Sequence, residues 1–263
     1  MECNESKIVV ITPTVGRIEQ IERCIASVKA QDTTFSTRHI VVGDHLDDKK
    51  SRDVNALCEK LGVQFINDER PRQTSYGPAR ASITRNFGIA VSRESYVAHL
   101  DEDNTFEPNH LSSLGNLLDQ NPDVGIAHSW RRVLGENGKP CQLRRYPWVI
   151  FHHEVLAREV FERLSKEGIF EDGSEIIRDR MDNISPDLCH IDSSELMMRR
   201  EIFSKVLFQE EYTAREMIYQ YTEDFLFCRA AQEARLVFAC SEQVTLNYYL
   251  GGYSSSPQKI LEK

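Results

Sequence analysis

Long apolar runs are missing from this sequence, and with them any stretch of the ~20 residues that a helix needs to cross a bilayer. The opening residues, Met1-Glu2-Cys3-Asn4-Glu5-Ser6-Lys7, lack the basic flank and apolar core of a secretory signal, so a cytoplasmic location is expected. Basic excess is also missing. Lys and Arg number 32 against 41 Asp and Glu, and the net charge of −9 leaves little to displace counterions from nucleic acid. An anionic ligand would need local arginines or a divalent cation against that background. The seven cysteines (3, 24, 58, 141, 189, 228 and 240) are odd in number and include no Cys-x-x-Cys. Neither a disulfide framework nor a structural zinc site is indicated, and reduced, buried thiols are expected. No Gly-x-x-x-x-Gly-Lys-[Ser/Thr] occurs and no Gly-x-Gly-x-x-Gly follows the first apolar run, which removes P-loop and dinucleotide readings. His152-His153-Glu154 lacks the second histidine of a zinc-binding helix.

What is present is an ordinary globular composition, 40% hydrophobic and 28% charged over 263 residues, enough for one large α/β domain. Ile8-Val9-Val10-Ile11-Thr12 reads as a buried parallel strand ended by Pro13. Ile18, Ile21, Cys24, Ile25 and Val28 recur at helical spacing. Strands follow at His39–Gly43, Val63–Ile66, Tyr96–Leu100 and Val124–Ala127, with helices around Val54–Leu57, Ala79–Val91 and Asn109–Leu118. This alternation predicts a mostly parallel central sheet with helices on both faces. Beyond Trp130 the pattern loosens. A hairpin turn is expected at Gly135–Gly138, a helix at Glu154–Lys166 and a polar, mobile loop from Gly168 to Pro186. Arg215–Glu233 reads as helix or as turn and helix, Leu236–Ala239 as a strand, and Asn247–Pro257 as a tail loop.

Four groups of residues bear on chemistry. Asp101-Glu102-Asp103 stands at the carboxyl end of a strand, where open α/β sheets bind ligands. Carboxylates at i and i+2 suit Mg²⁺ or Mn²⁺ shared with phosphate and water, though a solvated acidic turn has the same pattern. Glu223-Asp224 begins a helical stretch after Thr222. One of them would serve as general base, or both simply complement the helix dipole below a Thr cap. Arg70, Arg72, Arg80 and Arg85 form a local positive field suited to phosphate, or pair with nearby acids. Thr12-Pro13-Thr14 and Asp44 end the first two strands and face the same crevice, where a carboxylate would accept from a base or ribose, or be a plain turn aspartate. Arg131-Arg132 and Arg199-Arg200 read as surface or salt-bridge pairs.

The order of these groups, Thr12-Pro13-Thr14, Asp44, Arg85-Asn86-Phe87-Gly88, Asp101-Glu102-Asp103 and Glu223-Asp224, resembles the inverting GT-A glycosyltransferases of family 2 over roughly 7–232. The resemblance implies a single GT-A domain over 1–263. Its 1–130 half would bind the nucleotide-sugar donor (UDP, GDP or dTDP type), and its 131–263 half an acceptor hydroxyl on a glycan, lipid or small molecule. It further implies that Thr12, Pro13, Thr14 and Asp44 line the base and ribose pocket. Arg85 would hold the acidic turn or the phosphates, Asp101 would face the ribose or an arginine, and Asp103, with Asp101, would hold Mn²⁺ or Mg²⁺. Asp224 is implied as general base and Glu223 as its support, with Ile191-Asp192-Ser193-Ser194 near the donor sugar and acceptor. Many relatives carry a C-terminal histidine ligand, which 247–253 lacks. Two other readings stay open: a sugar nucleotidylyltransferase, although Val15-Gly16-Arg17 is too short for its usual loop, and a non-catalytic nucleotide- or sugar-binding module.

Overall fold

A strand covered on both faces needs no polar side, which is why the first strand is apolar from Ile8 to Ile11. The computed structural model describes residues 7–148, 154–181 and 191–251. In it β1 (Ile8–Thr14) sends Val9 and Ile11 into one core and Ile8 and Val10 into another. It pairs in parallel with β2 (Thr37–Asp44) and with β4 (Tyr96–His99), and β2 pairs in parallel with β3 (Gln64–Asp68). The expected alternation is therefore present. α1 (Ile18–Lys29), α2 (Asp48–Lys60) and α4 (His110–Gln120) carry their apolar stripes to one face of the sheet. α3 (Gly77–Ala90) and α7 (Glu223–Glu233) pack against the other face and each other.

Past β4 the sheet turns mixed. Its order is β3-β2-β1-β4-β8-β6-β9-β5, with β7 paired to β6. These further strands are β5 (Thr105–Phe106), β6 (Ile126–Leu134), β7 (Ile176–Ile177), β8 (Leu196–Arg199) and β9 (Phe238–Tyr249). β8 lies antiparallel between β4 and β6, and β9 runs parallel to β6. The sheet is continuous through residue 130, which lies inside β6. α5 (Glu154–Lys166) and the segment around Ile169, Phe170 and Ile177 form a small separate core with Val133 and Leu143. α6 (Ala214–Ile218) is a short turn of helix ahead of α7.

Several expectations are refined. The turn after β6 is a hairpin, with Gly138 N–H donating to the Gly135 carbonyl at 2.8 Å and Leu134 opposite Pro140. The stretch read as a mobile polar loop contains buried Ile169, Phe170, Ile177, Asp179 and Met181 over 168–181, so that part is packed. β9 runs on to Tyr249 where a tail loop was expected from Asn247. Cys24, Cys58 and Cys228 are buried as expected, whereas Cys141 and Cys240 are partly exposed. Cys3, Cys189, His152, His153, residues 182–186 and residues from 252 onward lie outside the described residues. Among the described residues no helix is long and apolar enough to cross a membrane.

Candidate active site

The site forms where β1, β2 and β4 end, and one buried arginine organises it. Arg85, on the inward face of α3, is 1% exposed. Its Nη1 donates to Glu223 Oε1 at 2.8 Å, and its Nη2 donates to Asp101 Oδ1 and to Ser193 Oγ at 2.7 Å. Two acidic motifs 122 residues apart are thereby held by a single guanidinium. The rest of the Arg85–Gly88 motif explains how α3 comes close enough. Asn86 exchanges bonds with the Phe208 backbone, donating to its carbonyl at 2.8 Å and accepting from its N–H at 3.1 Å. A Cβ at Gly88 would stand 2.5 Å from Ile11 Cγ2, so only glycine lets the helix lie this near β1.

The acidic turn after β4 divides its labour. Glu102 points inward and is 3% exposed. It accepts from the Thr14 hydroxyl, from Arg17 Nε at 2.7 Å, and from the Val15 and Arg17 amides at 3.3 Å, which fastens the β1–α1 loop. Asp101 and Asp103 face the crevice. Asp103 Oδ2 accepts from Arg17 Nη2 at 2.9 Å, and Arg23 Nη2 donates to the Asp103 carbonyl at 2.6 Å. Among the described residues each aspartate is held through one oxygen, leaving Asp101 Oδ2 and Asp103 Oδ1 uncommitted. Burial pushes the Asp101 carboxyl well above its ordinary value despite the pull of Arg85.

Thr222 takes the N-cap position of α7 but does not cap it. Its hydroxyl donates instead to Asp224 Oδ1, which also accepts from Phe225 N–H at 2.7 Å. Oδ2 is again the oxygen without a bond among the described residues. Burial, then the charges of Glu223 and Asp192, push Asp224 up to about 7. Glu223 is raised as well, by burial, with Arg85 opposing. A carboxyl titrating near neutrality beside an ionised network is suited to general-base work.

The turn Ser193–Glu195 was only loosely placed by the sequence, and it is the second organiser. Asp192 caps it, accepting from Ser194 N–H at 2.8 Å, while the Glu195 carboxylate accepts from Asp192 N–H at 2.8 Å. Ser194 Oγ accepts from Asp101 N–H at 3.2 Å.

Other expected residues have different places. The Thr12 hydroxyl is buried against His39 Nε2 (2.9 Å) and near Cys24 Sγ (3.5 Å), and that of Thr14 is spent on Glu102, so both side chains support the strand end. From that strand end Pro13 remains at the crevice edge, half-buried. Asp44 is buried between Arg72 Nε at 2.7 Å and Arg80 Nε at 2.8 Å, and Arg72 also meets Asp68 at 2.9 Å. Arg70 pairs with Asp68 at 2.8 Å, so all four arginines of that stretch have carboxylate partners. Arg199 and Arg200 serve backbone carbonyls, Arg199 those of Leu118 and Val124, Arg200 those of Ile89 and Glu94. Of the two alternatives for Arg131, surface or salt bridge, the structure shows the second: it is 3% exposed and ion-paired with Glu195 at 2.7 Å.

The sequence matches the family described as Glycosyl transferase family 2 over residues 9–207. The chain belongs to that family. The match stops short of Glu223 and Asp224, whose place in the site rests on the contact with Arg85. Among curated relatives, poly(ribitol-phosphate) β-N-acetylglucosaminyltransferase TarP of Staphylococcus aureus is 28% identical over 174 residues, covering 63% of this chain and 49% of TarP. An uncharacterized glycosyltransferase of Methanocaldococcus jannaschii is 24% identical over 52% of this chain and 46% of its own length. The chain thus spans about half the length of these relatives. Among solved structures, S. aureus TarS 1–349 in complex with UDP-GlcNAc superposes with a TM-score of 0.57 at 18% identity, over 95% of this chain and 60% of that one. Mannosyltransferase PcManGT from Pyrobaculum calidifontis, in complex with GDP-Man and Mn²⁺, does so with 0.57 at 14% identity, over 97% and 60%. These likenesses establish the expected fold, a mixed α/β glycosyltransferase architecture of the GT-A kind.

Proposed function

We propose that the protein transfers a sugar from a nucleoside-diphosphate sugar to an acceptor hydroxyl by one displacement that inverts the anomeric carbon. The observation that carries this reading is the Arg85 guanidinium joining Asp101 to Glu223, which unites a diphosphate-side carboxylate with a carboxylate pair able to take a proton. Asp224 Oδ2 accepts the acceptor's proton as its oxygen attacks, the bond to the diphosphate breaks, and Glu223 fixes the start of α7. A base titrating near 7 is half ionised at neutral pH and still holds the proton it receives.

The uncommitted oxygens of Asp101 and Asp103 fit a hard divalent cation such as Mg²⁺ or Mn²⁺. Among the described residues no group of three His, Cys, Asp or Glu gathers for a metal, so phosphate and water would complete the shell. When bound, such an ion supplies positive charge to the departing diphosphate. Arg17, on the Asp103 carboxylate, and Arg23, on the Asp103 carbonyl, reach the turn from the start and middle of α1 and are cations this chain itself offers. The base and ribose belong at the ends of β1 and β2, by Pro13 and Asp44, which makes residues 1–130 the donor half and 131–263 the acceptor half. TarS with UDP-GlcNAc and PcManGT with GDP-Man make UDP and GDP the first nucleotides to try. Free cysteines fit a cytoplasmic setting.

Thermal stability measured against UDP, GDP, dTDP and CDP, each with Mn²⁺, Mg²⁺ or EDTA, tests the donor side. One nucleotide is expected to raise the Tm in an EDTA-sensitive way, and Asp103→Ala to abolish that rise. No rise with any nucleotide would count against the reading and favour a non-catalytic module.

A further inference from the structure

Away from the Arg85 centre, Arg131, Glu195 and Asp179 form a second cluster of buried charges, none more than 3% exposed. Sheet pairing assembles them. Antiparallel β6 and β7 align Arg131 with Ile177, two residues before Asp179, while β6 and β8 align His128 with Leu196, directly after Glu195. Arg131 Nη1 then meets Glu195 Oε2 at 2.7 Å, and Nη2 meets Asp179 Oδ2 at 3.3 Å. Trp148 and Tyr248 cover the guanidinium, with ring centroids 5.1 Å and 5.7 Å away, and Trp148 Nε1 donates to the Tyr248 hydroxyl at 3.1 Å. Two fully buried carboxyls share one guanidinium, and burial pushes both up, Asp179 to about 6 and Glu195 well above its ordinary value. Glu195 Oε2 accepts from both Arg131 and Asp192 N–H, which ties the guanidinium to the turn.

None of these three groups is needed for proton transfer or for donor phosphate, yet they end on the turn that meets the site. Glu195 fixes the Asp192 amide, Asp192 fixes Ser194 N–H, Ser193 Oγ receives Arg85, and Ser194 Oγ receives the Asp101 amide. We propose that Arg131, Glu195 and Asp179 are positioning residues, a buried clamp whose task is to hold the Asp192–Glu195 turn and through it the Arg85–Asp101–Glu223 centre in register for sugar transfer. The turn is short, buried and hydrogen-bonded end to end, so a displacement of an ångström at Glu195 passes to Ser193 and Ser194.

The kinetic part of the test rests on the transferase reading, and the exchange part does not. Amide hydrogen exchange at Asp192 and Ser194 is measured in the wild type, Glu195→Ala, Glu195→Gln and Arg131→Lys. The alanine variant and the lysine variant, which keeps the charge but loses the planar fork, are expected to exchange at least ~10-fold faster at both amides. Glutamine restores protection, because its carbonyl accepts from Arg131 and Asp192 while its amide donates to Asp179. With the donor that the nucleotide screen identifies, Glu195→Ala lowers kcat by about 100-fold with little change in donor KM, and glutamine recovers most of it. A folded Glu195→Ala with wild-type exchange and kcat overturns the clamp, as does a glutamine variant as impaired as alanine. Should Glu195→Ala not fold, Arg131→Lys decides alone, since unchanged exchange there also overturns it. If the wild type transfers no sugar from any donor, the functional reading fails while exchange still judges the clamp.

Discussion

Replacing Arg85 by methionine isolates the tie between the two acidic motifs. The side chain fits the same volume but removes three donated bonds, to Asp101, Glu223 and Ser193, from a guanidinium that is 1% exposed. Removing one partner of a buried ion pair costs about 3–5 kcal/mol, because the remaining charge stays desolvated. At roughly 2–4 °C per kcal/mol for a chain of this size, Tm falls by about 6–20 °C. The pH dependence has a definite sign. Asp101 and Glu223 are already raised by burial, with Arg85 holding them down. Without it both bind protons in the folded state up to higher pH, whereas the unfolded chain releases them near pH 4. Stability then falls as pH rises, so the deficit relative to wild type is larger at pH 8 than at pH 5.5. Urea unfolding at both values, with EDTA present, measures this. A deficit under about 1 kcal/mol at pH 8, or one that is larger at pH 5.5, refutes the account of Arg85 as the organising cation.

Asp224→Asn is expected to reduce transfer by about 10²–10⁴-fold while leaving nucleotide affinity within a factor of a few, checked by initial rates and calorimetry. In the wild type kcat/KM should rise with pH and level off above about 7, the value of Asp224, since the ionised form accepts the proton. A profile flat from pH 5 to 8 removes Asp224 from that role. Gly88→Ala, whose Cβ would press on Ile11, is expected to destabilise by about 1–3 kcal/mol and to lower activity by pushing Arg85 outward, measured by denaturation and by rates at a temperature where it remains folded.

The first half of the fold was legible because its signals are local. β1 and β2 carry apolar β-branched runs and β4 a short buried one, and the intervening helices show their spacing within a dozen residues. The mixed half was less so. Leu196-Met197-Met198 is a strand only because β4 and β6 leave a gap there, and nothing in three apolar residues announces a partner on each side. Whether Arg131 is a surface residue or a salt-bridge partner is open in the sequence for the same reason: its carboxylates lie 48 and 64 residues further along the chain and reach it only after β7 and β8 have paired.

The candidate site shows the same divide at smaller scale. Asp101, Asp103 and Asp224 stand out as candidates in the sequence because each stands in a short recognisable pattern at an element's end. That Glu102 between them is structural shows only in the folded turn, where it is buried and accepts from Arg17. What the pattern could not state is why two acidic motifs with repelling charges share one crevice. Arg85 answers this, and Gly88 is the mark it leaves in the sequence: a helix can bring a guanidinium under the acidic turn only where its own backbone lies against β1. Loss of the glycine and loss of the arginine should therefore resemble each other in pH dependence, with the milder effect in the glycine variant. A glycine variant that is destabilised equally at pH 5.5 and pH 8 would separate close packing from charge placement, and with it the reason offered for that motif.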